Sequence, residues 1–348
     1  METRLKNYLE TWVPRIDEEM YQFLPNDKDP IDFLYAPMRD YPQRGGKRFR
    51  SALVLLGIEA FGGDPNVGLR TAAAFELFQS FALVHDDIED ASLMRRGKPC
   101  LHLIHGIPLS INVGDALYSK VFEILQANRE ILGETTTLDL LCEMIQGAQT
   151  TFEGQALDIG WIDAEVIPDV RDFVDMLRRK TGWYSGRGPC TMGAIIAGAG
   201  DDMKRAIGDF GEAIAVAFQI RDDLLNIVVE DTDATLAPTT TSGGYGKERG
   251  GDIAEGKRTL MVIDLLNHCT PEENQKVREI LDRDRDATSQ EDIEWVIDLM
   301  GRYGAIEKAQ RACQTRAESA EARLAQLPPS ESREVLREMC SFLVERVF

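Results

Sequence analysis

Histidine is scarce in this sequence, and cysteine is scattered. Only four histidines occur in 348 residues, and none lies near the acidic stretch around residue 222. The six cysteines, at positions 100, 142, 190, 269, 313 and 340, form no C-x-x-C pair. This composition argues against a zinc site, a His-containing di-iron site or a disulfide framework. We expect reduced thiols, as in a cytoplasmic protein.

Long apolar runs and an excess of positive charge are also missing. No run approaches the roughly 18 to 20 apolar residues that cross a bilayer, and the N-terminal METRLKNYLETW is charged where a signal peptide is apolar. We therefore expect a soluble, cytoplasmic protein without a membrane span. The formal net charge of −20 disfavours nucleic acid as a partner, because its phosphates need a basic surface. The absence of G-x-x-x-x-G-K-[ST] excludes a P-loop NTPase.

Period-two alternation of β-branched residues is nearly absent as well, so a sheet is not expected. Apolar residues instead recur with helical period over residues 71–90, 113–130, 136–158, 170–180, 202–229, 257–267 and 289–325. A stretch rich in Thr, Gly and Ser predicts a flexible loop at about 230–251. Pro328-Pro329 separates a terminal helix. We predict a single all-α domain over residues 1–348, with its motifs between about 44 and 260.

Two short stretches concentrate carboxylates. In LVHDDIEDASLMRRGKPCLH, the residues Asp86, Asp87 and Asp90 (the first cluster) fall at about 0°, 100° and 40° around an ideal helix and share one face. QIRDDLLN repeats the pattern with Asp222 and Asp223 (the second cluster), and its ends are Gln219 and Asn226. One such cluster alone is more often a solvated helix end. Two clusters on apolar helices need compensating cations, and their oxygen ligands suit Mg²⁺.

Basic residues recur in motifs that favour phosphate groups. The motifs RGGKRFR, MRRGK, RRKTGW and GYGKERGGDIAEGKR supply Lys47, Arg50, Arg95, Arg96, Lys180, Thr181, Lys247 and Lys257. Each motif alone is typical of an ordinary surface patch. Together with two carboxylate clusters, they indicate a cavity for polyanionic phosphates, held partly through metal and partly by Arg and Lys directly.

These motifs resemble those of the trans-prenyl diphosphate synthases, the polyprenyl synthetase family. The resemblance runs from about Arg44 to Thr259 and covers GGKRFR, VHDDIED, RRGKPCLH, GDAL, KTG, QIRDD and GGDIAEGKRTL in order. It implies an all-α helical bundle with a deep central cavity, usually a homodimer. It also implies a Mg²⁺-dependent prenyltransferase that condenses isopentenyl diphosphate with an allylic diphosphate and releases pyrophosphate.

The resemblance implies a role for each matching residue. The catalytic set would be Asp86, Asp87, Asp90, Asp222 and Lys180. Asp86, Asp87 and Asp90 would bind Mg²⁺ on the allylic diphosphate, and Asp222 and Asp223 would supply a further Mg²⁺ from the opposite helix. The residues that match isopentenyl diphosphate positions are Lys47, Arg50, Gln79 and Arg96. Those that match allylic diphosphate positions are Arg95, Lys180, Thr181, Gln219, Lys247 and Lys257.

Three features depart from the family pattern. Asn226 stands where many members have Asp, Ser51 stands where GGKRxRP has Pro, and the 228–246 loop is longer than usual. None of these changes removes a charge that the chemistry most needs, so we expect activity to be retained.

The helix before the first cluster bears on product length. Ala82, Phe78 and Phe75 lie one, two and three turns before Asp86, and each turn rises about 5.4 Å, roughly one isoprene unit. We expect Phe78 to stop a chain that grows past the small Ala82. In the family, an aromatic residue five positions before the cluster, here Phe81, resembles synthases of C20 products, but an ideal helix turns it about 140° from Asp86. The product stays open between C20, geranylgeranyl diphosphate, and C15, farnesyl diphosphate.

Two other functions fit part of the pattern. A class I terpene cyclase shares the fold and the first cluster, but it needs no isopentenyl diphosphate site and usually carries an N-D-x-x-S-x-x-x-E triad, which is absent here. A non-catalytic regulatory subunit of a prenyl synthase would be expected to lose its Asp clusters, and this chain keeps both.

Overall fold

The computed structural model describes residues 3–228 and 249–344. Most of the predicted loop at 230–251, together with Lys247, lies outside these residues. The helices of the first half are α1 (Thr3–Gln22), α2 (Ala36–Gln43), α3 (Phe49–Glu59), α4 (Leu69–Glu89), α5 (Leu101–His105), α6 (Ile107–Ala127) and α7 (Arg129–Asp163). Those of the second half are α8 (Val170–Leu177), α9 (Gly188–Ile196), α10 (Asp201–Val228), α11 (Gly251–Ala254), α12 (Leu260–His268), α13 (Pro271–Leu281), α14 (Gln290–Arg302), α15 (Ala305–Leu324) and α16 (Glu331–Val344).

The all-α prediction is confirmed, and the differences lie where helices end. The predicted 289–325 helix is two helices, because Gly304 adopts a left-handed conformation (φ 72°) between α14 and α15. The predicted 170–180 helix leaves α-helical geometry after α8 and continues as a π-helical segment, Arg178–Arg187. The terminal helix after Pro328-Pro329 is present as α16. That the whole chain forms one domain stays a prediction.

The expectation that the chain has no sheet was wrong in one place. Strands β1 (Met94–Arg95) and β2 (Lys98–Pro99) pair antiparallel. The two residues between them, Arg96 and Gly97, have positive φ angles of 51° and 74°, as a tight hairpin turn requires. Strands of two residues are too short to show an alternating pattern, so periodicity could not reveal them. The hairpin displays the two arginines that follow the first cluster.

Helix α4 lies in one of the large apolar core clusters. It packs against α1, α3 and α6, and its residues 72–75 have no exposed surface. Helix α10 packs along α15 and the π-helical segment. The first and second clusters therefore project from two core helices whose backbones are held by packing on several sides.

The apolar character of α4 has a structural explanation. Pro65–Glu89 is long and apolar enough to cross a membrane by length and composition, contrary to the expectation that no segment comes close. In the fold, however, 67% of its apolar window is buried among the neighbouring helices. This is the behaviour of a core helix.

Candidate active site

The first cluster lies where α4 ends. Asp86 and Asp87 occupy its last turn, and Asp90 caps it by donating its backbone N–H to the Asp86 carbonyl (2.8 Å). Ala91 then adopts a left-handed conformation (φ 49°) and ends the helix. Carboxylates at a helix C-terminus face the negative end of the helix dipole. The cluster is therefore stable only if cations lie nearby.

Two lysines from distant segments supply those cations. Lys257 Nζ lies 2.5 Å from Asp90 Oδ2, and Lys180 Nζ lies 3.3 Å from Asp86 Oδ1 and 2.6 Å from Asp158 Oδ2. Burial raises the pKa of Asp90 to about 6, although Lys257 opposes that shift. Burial alone would lower the pKa of each lysine, but the facing carboxylates raise it above its ordinary value. Both ammonium groups consequently stay charged at neutral pH.

Asp87 is held differently from its two neighbours. Its side chain is 1% exposed. One carboxylate oxygen accepts N–H groups of Arg95, and the other accepts the Tyr41 hydroxyl (2.5 Å). Both oxygens of Asp87 thus already accept protein hydrogen bonds, and Asp87 anchors Arg95 next to Asp86. Its role as a Mg²⁺ ligand stays a prediction.

The second cluster lies on α10 beside the π-helical segment. Gln219 Nε2 donates to Asp223 Oδ1 (3.0 Å), and Gln219 Oε1 accepts the Thr181 hydroxyl (3.3 Å). Asp223 is buried, whereas the Asp222 side chain is 34% exposed. The pKa of Asp223 is raised to about 7, chiefly by burial and also by the nearby Asp252 and Asp222. A cation bound near Asp223 would stabilise the ionised form of this carboxylate.

Asn226 does not extend the second cluster. The residue is fully buried, its Oδ1 accepts the backbone N–H of Asp252 (3.2 Å), and its carbonyl accepts that of Gly250 (2.8 Å). An uncharged acceptor suits this role, because a third carboxylate beside Asp223 would add repulsion. Asn226 thereby holds the start of α11 against α10.

We expect Asp223→Asn to stabilise the protein when it is measured without metal or substrate at pH 8. A carboxyl with a raised pKa in the folded state opposes folding above its ordinary pKa of 3.8, and fully so above about 7. Asn has no such cost, so its Tm should be a few degrees higher. The gain should shrink as the pH falls from 7 toward 4, in melts followed by circular dichroism. A gain that does not change with pH would contradict the proposed cause.

A second group of cations surrounds the loop between α2 and α3. Arg96 donates to the carbonyls of Tyr41 (3.0 Å) and Gly45. The pKa of Arg96 is lowered to about 10, chiefly by burial and also by nearby arginines, Arg48 foremost and Arg50 among them. Cations that repel one another in a buried place favour binding of an anion.

The other members of the predicted isopentenyl diphosphate set are more dispersed. Arg50 donates to the Ser185 hydroxyl (2.8 Å) on the π-helical segment. Gln79 is half-buried on α4. Lys47 is exposed, and its ammonium lies 4.9 Å from the ring centroid of Phe342 on α16. Lys47 therefore faces the C-terminal helix in this conformation.

Ser51, which departs from the family motif, belongs to a buried network. Its Oγ lies 2.6 Å from Glu76 Oε1 and 2.8 Å from the carbonyl oxygen of Ala72. The other oxygen of Glu76 accepts Arg48 Nη1 (3.1 Å), and Arg48 Nη2 donates to the Pro42 carbonyl (3.0 Å). A proline could not make the hydroxyl contacts. The substitution therefore ties α3 to α4 and steadies the loop between α2 and α3.

Aromatic rings fill the space below the first cluster. Phe78 has no exposed surface, and its ring centroid lies 5.5 Å from that of Phe81, 5.6 Å from Tyr184 and 6.1 Å from Tyr118. Phe81 packs on Tyr118 at 4.8 Å. Ala82 is half-buried one turn above Phe78. Both phenylalanines thus belong to one group of rings, which the helical wheel alone could not show.

The donor set fits a hard divalent cation. Asp86 and Asp90 offer carboxylates from α4, and Asp222 and Asp223 offer them from α10. Among residues 3–228 and 249–344, no three His, Cys, Asp or Glu side chains converge into a preformed cage. Mg²⁺ typically binds one or two carboxylates and completes its shell with water and substrate phosphates. The arrangement suits a metal that arrives with its substrate.

Sequence reasoning missed several residues in and around the predicted site. They are Tyr41, Arg48, Glu76, Asp158, Asp252 and Glu255. Asp252 and Glu255 lie inside the GGDIAEGKRTL motif and Arg48 lies inside GGKRFR, so the motifs were a usable signal for these three. Tyr41, Glu76 and Asp158 lie outside the quoted motifs, and only tertiary contacts identify them.

A model of the polyprenyl synthetase family matches residues 31–300. A short chain isoprenyl diphosphate synthase of Methanothermobacter thermautotrophicus is 33% identical over 98% of this chain and 97% of its own length. A geranylgeranyl pyrophosphate synthase of Geoglobus acetivorans is 32% identical, covering 95% and 96% of the two chains. A geranylfarnesyl diphosphate synthase of Natronomonas pharaonis is 30% identical, covering 96% and 95%.

Solved structures match over nearly the whole chain. Geranylgeranyl pyrophosphate synthetase of Pyrococcus horikoshii superposes with a TM-score of 0.86 at 31% identity, covering 99% of this chain and 98% of that one. Geranylgeranyl pyrophosphate synthase of Corynebacterium glutamicum, complexed with isoprenyl diphosphate and magnesium, gives a TM-score of 0.84 at 27% identity, covering 98% and 99%. The motifs, the two carboxylate clusters and these matches agree: the chain belongs to the polyprenyl synthetase family and is a prenyl diphosphate synthase.

Proposed function

We propose that this enzyme condenses isopentenyl diphosphate with an allylic diphosphate in a Mg²⁺-dependent reaction whose main product is C20. The observation that carries the proposal is the pair of carboxylate clusters on α4 and α10, with Lys180 and Lys257 beside them. The magnesium complex of the C. glutamicum relative supports the choice of metal.

The allylic diphosphate is bound between the two clusters. Mg²⁺ held by Asp86 and Asp90 on one side and by Asp222 on the other would supply charge that stabilises the departing diphosphate. Lys180 and Lys257 donate to the same phosphate oxygens. The remaining donors are Arg95, Thr181 and Gln219. We also propose Lys247, which lies outside the described residues, as a donor to the allylic diphosphate.

Isopentenyl diphosphate is bound by Arg50, Arg96 and Gln79, with Lys47 moving in from its place beside Phe342. The allylic C1–O bond breaks, and the terminal double bond of isopentenyl diphosphate forms the new bond to that carbon. A proton leaves C2 of the isopentenyl unit and restores an alkene. The departing pyrophosphate accepts this proton, so no histidine base is needed. The aromatic rings below the first cluster keep water away from the allylic carbocation that forms when the C1–O bond breaks.

The ring cluster supports a short product, and the relatives favour C20 within that range. Phe78 lies eight residues before Asp86, about 12 Å along the helix axis, so a chain that runs down α4 from the cluster meets its ring after a few isoprene units. The relatives from G. acetivorans and N. pharaonis are named for C20 and C25 products. A product near this length agrees with a fully buried ring two turns below the aspartates.

Product analysis tests the proposed function. The enzyme is incubated with isopentenyl diphosphate and each of the C5, C10 and C15 allylic diphosphates, with Mg²⁺ and separately with EDTA. We expect C20 as the main product from every accepted primer and no elongation in EDTA. Elongation that is unaffected by EDTA would refute the metal role, and a dominant product of another length would refute the C20 assignment.

Arg96→Ala should weaken the binding of isopentenyl diphosphate more than the binding of the allylic diphosphate. A lost charge-assisted contact is worth about 1.5 to 3 kcal/mol, roughly a ten- to hundredfold rise in KM. Steady-state kinetics with each substrate varied in turn measures the difference. Arg15→Ala is a suitable control, because Arg15 pairs with Asn66 at the surface. An equal rise in both KM values would show that Arg96 does not discriminate between the substrates.

We also propose that the enzyme is a homodimer joined through α5, α6 and α7. These helices expose large apolar side chains that a monomer would leave in water. The exposed residues are Leu103, Ile104, Ile107, Ile111, Leu138, Ile145 and Phe152. The last three are spaced seven residues apart and so form one stripe along α7. A cytoplasmic location is part of the same proposal.

Sedimentation velocity tests the dimer. We expect the wild-type protein to sediment as a dimer and Ile145→Asp, which places a charge in the middle of the stripe, to shift the equilibrium toward monomer. Val170→Asp is a suitable control, since Val170 is 44% exposed at the start of α8, outside the stripe. A wild-type monomer would contradict the proposal.

A further inference from the structure

Glu255 is a buried carboxylate that the proposed chemistry does not use. Its side chain is 4% exposed, at the end of α11. Oε1 accepts the Ser92 hydroxyl (3.2 Å) and Arg285 Nη1 (2.6 Å). Oε2 has no hydrogen-bond partner among the described residues. A buried carboxylate oxygen without a donor is costly, so its retention calls for an explanation.

The nearest cation to the second oxygen is Lys257. Lys257 Nζ lies 3.9 Å from Glu255 Oε2 but only 2.5 Å from Asp90 Oδ2. Gly256 lies between the two residues with a φ of 69°, and the left-handed turn leads the chain directly from Glu255 to Lys257. The ammonium therefore lies between two carboxylates, bonded to one and within about 1 Å of hydrogen-bond distance from the other.

Lys180, the other lysine of the site, also lies between a carboxylate of the first cluster and a carboxylate outside both clusters. Lys180 bonds Asp158 (2.6 Å), which lies outside both clusters, and approaches Asp86 (3.3 Å), which belongs to the first. Lys180 is thus already held mainly by a carboxylate that does not bind metal in the proposed function. Lys257 is still held by its cluster carboxylate.

We propose that Glu255 is a positioning residue that takes over the Lys257 ammonium when a metal–diphosphate complex occupies the Asp90 carboxylate. The inference rests on the proposed role of Asp90 as a metal ligand. Separating Lys257 from Asp90 would leave a buried cation without a partner, which is strongly unfavourable. Glu255 Oε2 removes that cost after a small movement of Nζ, and it leaves the other ammonium N–H groups directed at the diphosphate.

Glu255→Gln is the most informative substitution. The Arg285 and Ser92 donors both need an acceptor, so the amide oxygen should stay on the Oε1 side. The amide NH₂ then faces Lys257 and repels it. The volume and the Arg285 contact are preserved, so the fold should be retained, which a melting curve without metal verifies.

The test is isothermal titration of an unreactive allylic thiolodiphosphate into each protein, with and without Mg²⁺. For the wild type we expect tight binding only with Mg²⁺. Glu255→Gln should weaken this metal-dependent binding by about tenfold or more, the usual effect of losing a residue that orients a metal ligand's partner. Glu255→Asp, which keeps the charge, should recover much of the loss. Isopentenyl diphosphate binding should not change.

Two further variants distinguish this role from a purely structural one, in which Glu255 only stabilises the local fold through its Oε1 contacts. Ser92→Ala weakens only the Oε1 side and should bind the analogue like wild type. In a Lys257→Met background, Glu255→Gln should have little additional effect. Wild-type binding by Glu255→Gln, equal losses in Ser92→Ala and Glu255→Gln, or no recovery in Glu255→Asp would each overturn the inference and leave the proposed function intact. Analogue binding by the wild type that does not depend on Mg²⁺ would instead refute the proposed function and the inference with it.

Discussion

Replacing Asp86 with asparagine is expected to lower kcat by about a hundredfold or more while the protein stays folded, since positioned charges in an active site commonly contribute that much. Asp86 is the member of the first cluster that lies beside Lys180 (3.3 Å) and Arg95 (3.6 Å). Its loss would remove one of the two proposed metal ligands on α4. The fold should survive because Lys180 keeps its closer partner, Asp158.

The rate should be measured over a wide range of Mg²⁺ concentration, together with a thermal melt. Glu89→Gln is the matched control: Glu89 belongs to the same acidic stretch but is exposed and bonds Gln155 (2.6 Å). We expect that control to stay within a few-fold of wild type. Asp222→Ala should resemble Asp86→Asn, because it removes a ligand from the opposite helix. Wild-type turnover by Asp86→Asn would refute the assignment of the first cluster.

Phe78→Ala is expected to shift the product distribution toward chains longer than C20. Phe78 is fully buried two turns below Asp86, between Phe81 and Tyr184. Removing its ring opens space along the proposed path of the growing chain. The same change costs about 3 to 5 kcal/mol of stability. A melting curve must therefore accompany the product analysis, by chromatography of the dephosphorylated prenols.

Ala82→Phe is the reciprocal variant. Ala82 lies one turn above Phe78, so a ring there should stop growth earlier and shift the product toward C15. Opposite shifts from the two variants would be hard to attribute to instability. A folded Phe78→Ala enzyme with an unchanged product profile would mean that another ring limits the chain. Phe81, which packs on Tyr118 and Phe152, would then be the next residue to change.

Local chemistry was readable from the sequence by itself. The 3.6-residue period placed three aspartates on one face before any contact was known, and the same spacing recurred at Asp222. The scarcity of histidine, the scattered cysteines and the acidic net charge excluded whole classes of site. Motif order was enough for the family, the all-α fold and the prenyltransferase activity. These properties depend on residue type and on spacing within a single helix.

Which side chains meet across the fold was decided only by tertiary structure. Lys257 and Asp90 are far apart in sequence, yet their atoms lie 2.5 Å apart. Spacing placed Asp87 with the predicted metal ligands, and only the fold shows that its two oxygens accept hydrogen bonds from Tyr41 and Arg95. Asn226 seemed to close a second triad, and it instead holds the backbone of Asp252.

The physical reason is a difference in range: secondary structure depends on interactions between near neighbours in sequence, and charge pairing depends on contacts between distant segments. Helical periodicity is set by backbone hydrogen bonds between near neighbours, so a sequence displays it directly. The partner of a buried charge is set by packing. An unpaired buried charge is strongly unfavourable, so the charge pairs with whichever opposite charge the packing of the helices brings close. Asp158 and Glu255 are such partners, brought to the site by α7 and α11. The sequence specifies the charges, and the packing of helices distant in sequence determines how they are paired.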